Sequence, residues 1–180
     1  MTEVTVIDTG CDDIAGRIAS AIEESGGLSG DVLIRSIHTL SEVSKKKTDI
    51  LVLTEDAMKP TGDDSRRDSH GQLEARISCS ILLLPGDADA CGAAACDADA
   101  DIFDAECIVT YGMSPKNTIT LSSISEDTCV LALQRDLVTI KGDILERQEI
   151  KIGGGMRPEC LLAVTGALLI LGQKISDINE

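Results

Sequence analysis

The chain has 180 residues, 43% hydrophobic and 26% charged, with 31 acidic against 16 basic side chains and a formal net charge of −15. That length suits one domain with a sizeable core, and the composition is that of a globular chain, not a disordered one. The charge repels phosphate backbones and anionic bilayers, and one Phe, one Tyr and no Trp leave almost nothing for bases to stack on. Nucleic-acid and membrane-surface binding are therefore not expected.

The N-terminal stretch "MTEVTVIDTG" has neither the basic nor the apolar region of a signal peptide. Within it "VTVID" (4–8) is a β-branched run that predicts a strand. "DDIAGRIASAIEES" (12–25) then sets Ile14, Ile18 and Ile22 on one apolar helical face, beside Ala15 and Ala19. Asp12 and Asp13 fall in its first turn, where carboxylates suit the helix dipole, and Gly26-Gly27 ends it. "DVLIRSI" (31–37) predicts a second strand. Thr39 and Glu42 have capping-box spacing ahead of Lys45-Lys46-Lys47, so a short helix is expected over 39–47. "DILVLTE" (49–55) is apolar on both faces, as central parallel strands are. This β-α-β-α-β order predicts an open, mostly parallel sheet.

"KPTGDDSRRDSHGQ" (59–72) reads as a polar, turn-rich loop. A short helix near 73–77 leads to a strand, "SCSILLLPG" (78–86). The low-complexity stretch 87–106 is either helical through Ala90–Ala95 or a loop, and a strand follows from Cys107 to Gly112. From Thr118 the pattern changes to short strands with little helix between them, which predicts antiparallel hairpins, one turning at Lys141-Gly142-Asp143. A Gly-rich turn at 153–155 opens an almost wholly apolar helix, too short to span a bilayer and therefore buried in the core or in a subunit interface. The expected fold is a single α/β domain over 1–180, three-layered and Rossmann-like. Its mostly parallel open sheet covers 1–112, and an antiparallel extension with a buried C-terminal helix covers 113–180. No internal repeat is visible.

Seven cysteines without a secretory signal read as reduced thiols in a cytoplasm. His38 and His70 are isolated, and neither lies near Cys91 or Cys96, so no zinc site is expected.

From Thr110-Tyr111-Gly112 onward the chain resembles the closing part of the central domain of Mur ligases, ATP-dependent enzymes that add amino acids to a peptidoglycan precursor. In that family a strand ending in such a triplet is followed by antiparallel strands, then by a Gly-rich turn into an Ala/Leu-rich helix ending in Leu-Gly. Here the matching residues are Gly154-Gly155 and Ala163 to Leu171-Gly172, and "LLLPGD" takes the place of the strand before the family's Asn-x-Asp-Asp element. The chain departs from the pattern where chemistry is concerned. Met156, Arg157 and Cys160 stand where the family's helix has His-Asn and a further Asn, and the acidic element is reduced to Pro85-Gly86-Asp87. The first strand-to-helix turn reads "DTGCDDIAG" instead of a P-loop, and the chain has no Gly-Lys dipeptide. A P-loop needs bare backbone N–H groups and a lysine around a polyphosphate, whereas Asp8, Asp12 and Asp13 would occupy those donors and repel an anion. The resemblance thus implies the scaffold without the ligase reaction.

Ligands of open α/β sheets collect beyond the carboxyl ends of the strands, and three such ends are acidic here: Asp8, Glu55-Asp56 and Asp87. With Asp12, the set Asp8, Asp56 and Asp87 either converges on Mg²⁺, which prefers carboxylates and water, or forms an ordinary solvated rim. Gly10 and Gly112 follow strands, as turn residues or as room for a ligand. Arg157 either meets an anion at the start of the last helix or pairs with a surface acid. Tyr111 either caps a pocket or packs its ring with its hydroxyl bonded. Most cysteines, Cys160 among them, sit in apolar contexts as small core residues, while Cys11 precedes a helix but has no basic partner.

The function expected from these residues is a non-catalytic Mur-ligase-like module, binding an unknown small molecule or self-associating into a homo-oligomer, with no cofactor. The alternative is a Mg-dependent enzyme acting on a phosphorylated small molecule through the strand-end acids.

Overall fold

The computed structural model describes residues 1–8, 13–25, 31–39, 42–43, 48–58, 76–87, 103–125, 127–173 and 175. The readings made for Gly10, Cys11, Asp12, Gly26-Gly27, Lys45–Lys47, the 59–72 loop and the 88–102 stretch fall outside these residues.

The described strands are β1 (Thr2–Ile7), β2 (Val32–Ile37), β3 (Thr48–Leu53), β4 (Ile77–Pro85) and β5 (Phe103–Tyr111), followed by five shorter ones. Those are β6 (Ile119–Ile124), β7 (Thr128–Leu133), β8 (Leu137–Val138), β9 (Ile144–Leu145) and β10 (Glu149–Gly153). Eight of them form one sheet in the order β2-β1-β3-β4-β5-β6-β7-β10. Pairing is parallel from β2 through to β6 and antiparallel from β6 through β7 to β10. The protein is thus α/β with a mostly parallel sheet and an antiparallel extension. Tyr111 and Ile119 are the single parallel pair between β5 and β6, and the pairing turns antiparallel on the other edge of β6.

The central parallel strands β1, β3 and β4 are buried on both faces over most of their length, which is why they read as continuous apolar runs. Val4, Val6, Ile50 and Val52 face one side, while Ile7, Leu51 and Leu53 face the other. On the first face lie α1 (Ile14–Glu24) and the C-terminal helix. The other face carries, among the described residues, Val43 and Ala57 of the short helix α2 (Glu55–Met58).

The C-terminal helix, α3 (Pro158–Ile170), is buried at every residue from Cys160 to Ile170. It packs on β3, β4, β5, β6 and α1, so its apolar character is accounted for by the core of this chain. Close approach depends on Gly166, where an added Cβ would lie 3.1 Å from both Ile119 Cδ1 and Leu83 Cδ2. The one hydroxyl in that buried stretch is satisfied, because Thr165 Oγ1 donates to the Leu161 carbonyl at 2.6 Å. A small hairpin of β8 and β9 turns at Gly142 (φ 87°), as the Lys141-Gly142-Asp143 turn predicts, and Ile140 N–H ties it to the Ile170 carbonyl at 2.7 Å.

Two expectations need correction. Asp13 does not lie in the first turn of α1; it is the N-cap, with left-handed backbone (φ 44°) and its carboxylate accepting from Gly16 N–H at 3.2 Å. Asp tolerates that conformation better than most residues because its short side chain bonds locally. The strand assigned to 107–112 begins earlier, at Phe103. Its first residues alternate half-buried Phe103, Ala105 and Cys107 with exposed Asp104 and Glu106, a period of two hidden by an Asp/Ala-rich composition.

Candidate functional site

In this strand order the chain leaves β1 toward β2 and returns to its other side at β3. The carboxyl ends of β1 and β3 therefore flank the point where the sheet reverses direction, which is where open α/β sheets form a crevice. A cavity of about 190 Å³ opens there. Asp8 reaches it from the end of β1, Ile14 from the start of α1, and Thr54, Glu55 and Asp56 from the end of β3. Tyr111 comes from β5, and Arg157, Glu159 and Cys160 from the start of α3.

Asp8 is only 6% exposed. One carboxylate oxygen accepts from the backbone N–H of Ile14, the first residue of α1, at 3.3 Å. His38 Nδ1 lies 3.1 Å from the Asp8 carbonyl oxygen and holds the strand end from the other side. Together with Asp13 on Gly16, this puts carboxylates on two N–H groups of the α1 N-terminus, the place where a nucleotide-binding loop leaves its donors open.

Tyr111 is 1% exposed and reaches over β4 to donate its hydroxyl to the Leu53 carbonyl at 2.9 Å. Burial drives its phenol pKa well above the ordinary value, and the neighbouring charge of Glu55 pushes the same way. The group stays a neutral donor at physiological pH and cannot serve as a base. Cys160 is also buried, and desolvation raises its thiol pKa although Arg157 beside it, by charge and a hydrogen bond, pulls the other way. An unactivated thiol is a poor nucleophile.

The chain matches no family model, no curated protein and no solved structure. The functional reading therefore rests on the site itself.

Of the residues singled out from sequence, Asp8, Asp56 and Arg157 share the cavity, while Gly10 and Asp12 lie outside the described residues. Asp87 and Gly112 belong elsewhere. The Asp87 carboxylate accepts from Met113 N–H at 2.5 Å, from Ser114 N–H at 3.0 Å and from the Asn117 amide at 2.7 Å. Gly112 lies against this latch, where an added Cβ would collide with the Asp87 carboxylate and the Asn117 amide. Asp87 thereby fastens the loop that joins the parallel and antiparallel parts of the sheet, and Gly112 makes room for it.

Sequence reasoning passed over Thr54 and Glu159 and assigned Cys160 to the core alone. Glu159 had a readable signal, since it sits in the first turn of the helix that opens with Arg157-Pro158. Among the described residues, four carboxylates and one guanidinium line the cavity. Among the described residues no three His, Cys, Asp or Glu side chains gather as they would around a metal ion. A larger open depression of about 630 Å³ runs between β7 and the approach to β10. It borders Gln134, Asp136, Glu146 and Arg147, far along the sheet from the reversal point.

Proposed function

We propose that the protein is a non-catalytic binding module built on a Mur-ligase-central-domain-like scaffold, taking a small molecule at the reversal point of its sheet and lacking ATP-dependent ligase activity. One observation carries this reading. The Asp8 carboxylate sits on the N-terminus of α1, where a P-loop would hold phosphate, yet a cavity remains beside it. Such an anion competes directly with a polyphosphate for the same donors. The scaffold part draws support from β5 ending in Thr110-Tyr111, the switch to antiparallel pairing after Gly112, and the Gly154-Gly155 turn into a helix laid on the sheet.

The Mg-dependent alternative draws on two of the four acids named for it, Asp8 and Asp56, which share the cavity, with Asp87 turned to the 112–117 loop. It is the weaker reading for that reason.

Two-dimensional amide NMR with a panel of small metabolites tests the proposal. At least one compound is expected to shift the amides of Thr54–Asp56 and Glu159–Cys160 together. MgATP is expected to leave Ile14–Arg17 in place. A MgATP-dependent shift of those α1 amides at micromolar concentration would overturn the reading.

A further inference from the structure

We infer that the cavity takes a small organic cation, an aliphatic amine, in preference to a phosphate ester or a divalent metal ion; this rests on the reading of the cavity as a binding site. Asp8, Glu55, Asp56 and Glu159 line it with Arg157, a formal surplus of three negative charges among the described residues. An ammonium group gains charge-assisted hydrogen bonds there, whereas a phosphate meets repulsion. The α1 donors that would compensate a phosphate already serve Asp8 and Asp13.

The arrangement of the acids separates an organic cation from a metal ion. Mg²⁺ and Ca²⁺ need several oxygens converging within about 2.0–2.6 Å of one point. Here the carboxylates come from the ends of β1 and β3 and the start of α3, and among the described residues no three acids gather in that way. N–H donors spread along an organic chain match carboxylates spread around a wall. Ile14 and Tyr111 border the same space, and their carbons suit an alkyl segment. A short diamine, with an ammonium at each end of an alkyl chain, matches acids held on separate elements.

Butane-1,4-diamine is the probe, titrated into the whole protein at constant ionic strength and followed by calorimetry and amide NMR. Saturable binding is expected, with shifts confined to Ile14, Thr54–Asp56 and Glu159–Cys160. Glu159→Gln and Asp8→Asn are each expected to weaken it by about tenfold, the usual scale for one charge-assisted bond. Glu23→Gln and Glu24→Gln, exposed acids on α1, are expected to change it less than twofold. Asp8 also holds the α1 terminus, so Glu159→Gln carries the test if Asp8→Asn fails to fold. Equal weakening by all four variants would mean a diffuse ion atmosphere and would overturn the proposal. If inorganic phosphate or Mg²⁺ shifts the cavity amides and the diamine does not, the ligand class is wrong while the cavity stands as a binding site. If no probe or metabolite shifts those amides, the inference and the binding-module reading fall together.

Discussion

The only tyrosine of a tryptophan-free chain lies in the wall of the cavity, so its ultraviolet absorbance reports on that one place. Raising the pH is the perturbation. An unfolded tyrosine ionises near pH 10, while burial holds the folded phenol of Tyr111 well above that value. The folded pKa is raised, so the stability it contributes is complete below pH 10 and is lost as the pH climbs from there toward the folded pKa. Linkage gives the size: each pH unit in that window costs about 1.4 kcal/mol, against the 5–15 kcal/mol typical of a domain. Lysines and thiols titrate in the same range, so the informative quantity is the difference from Tyr111→Phe, which keeps the ring and removes the ionisation. The assay follows tyrosinate absorbance and far-ultraviolet circular dichroism on the same samples. Tyrosinate is expected to appear only as the helical signal collapses, and urea-derived stability of the wild type should fall more steeply above pH 10 than that of the variant. Tyrosinate forming near pH 10 with intact dichroism would show the hydroxyl to be solvated, and the hydrogen bond to Leu53 would be lost as a feature of the site.

Other expectations follow from named contacts. Asp87→Ala leaves Met113, Ser114 and Asn117 without their acceptor and should cost about 2 kcal/mol in urea unfolding. Gly112→Ala should cost about 1–3 kcal/mol by crowding that latch, and the two changes together should cost less than their sum, because the carboxylate being crowded is gone. Leu162→Ala, at a position with no exposed surface, should lose about 2–5 kcal/mol in the same assay. Cys160, buried and with a raised thiol pKa, should resist iodoacetamide in the native protein at neutral pH and become reactive in urea, as peptide mass spectrometry would show.

The parallel half was legible in the sequence because its central strands β1, β3 and β4 are buried on both faces. Continuous runs such as "DILVL" can hardly be anything else, and Ile14, Ile18 and Ile22 mark a helix face that packs into the same core. The antiparallel half was legible only as short strands. That β10 pairs with β7 and forms the sheet edge while β8 and β9 form a separate hairpin depends on pairings distant along the chain that no local pattern encodes. The start of β5 was hidden because Asp104 and Glu106, on the exposed side of the strand, resemble the acidic stretch before them.

The site divides the same way. Strand ends could be named from sequence, which brought out Asp8 and Asp56. Sequence could not say which ends meet, and that is set by the reversal between β1 and β3. Asp87 has the same local signature, yet its carboxylate turns to three donors in the 112–117 loop. Tyr111, left open between pocket and core, does both: its ring is buried, its hydroxyl is bonded to Leu53, and it borders the cavity.

Calorimetric titration of the wild-type protein with MgATP bears most directly on the central claim, that a carboxylate has taken the place of a phosphate cradle at the start of α1. The account predicts no saturable heat up to millimolar nucleotide. Saturable binding with micromolar affinity would contradict it.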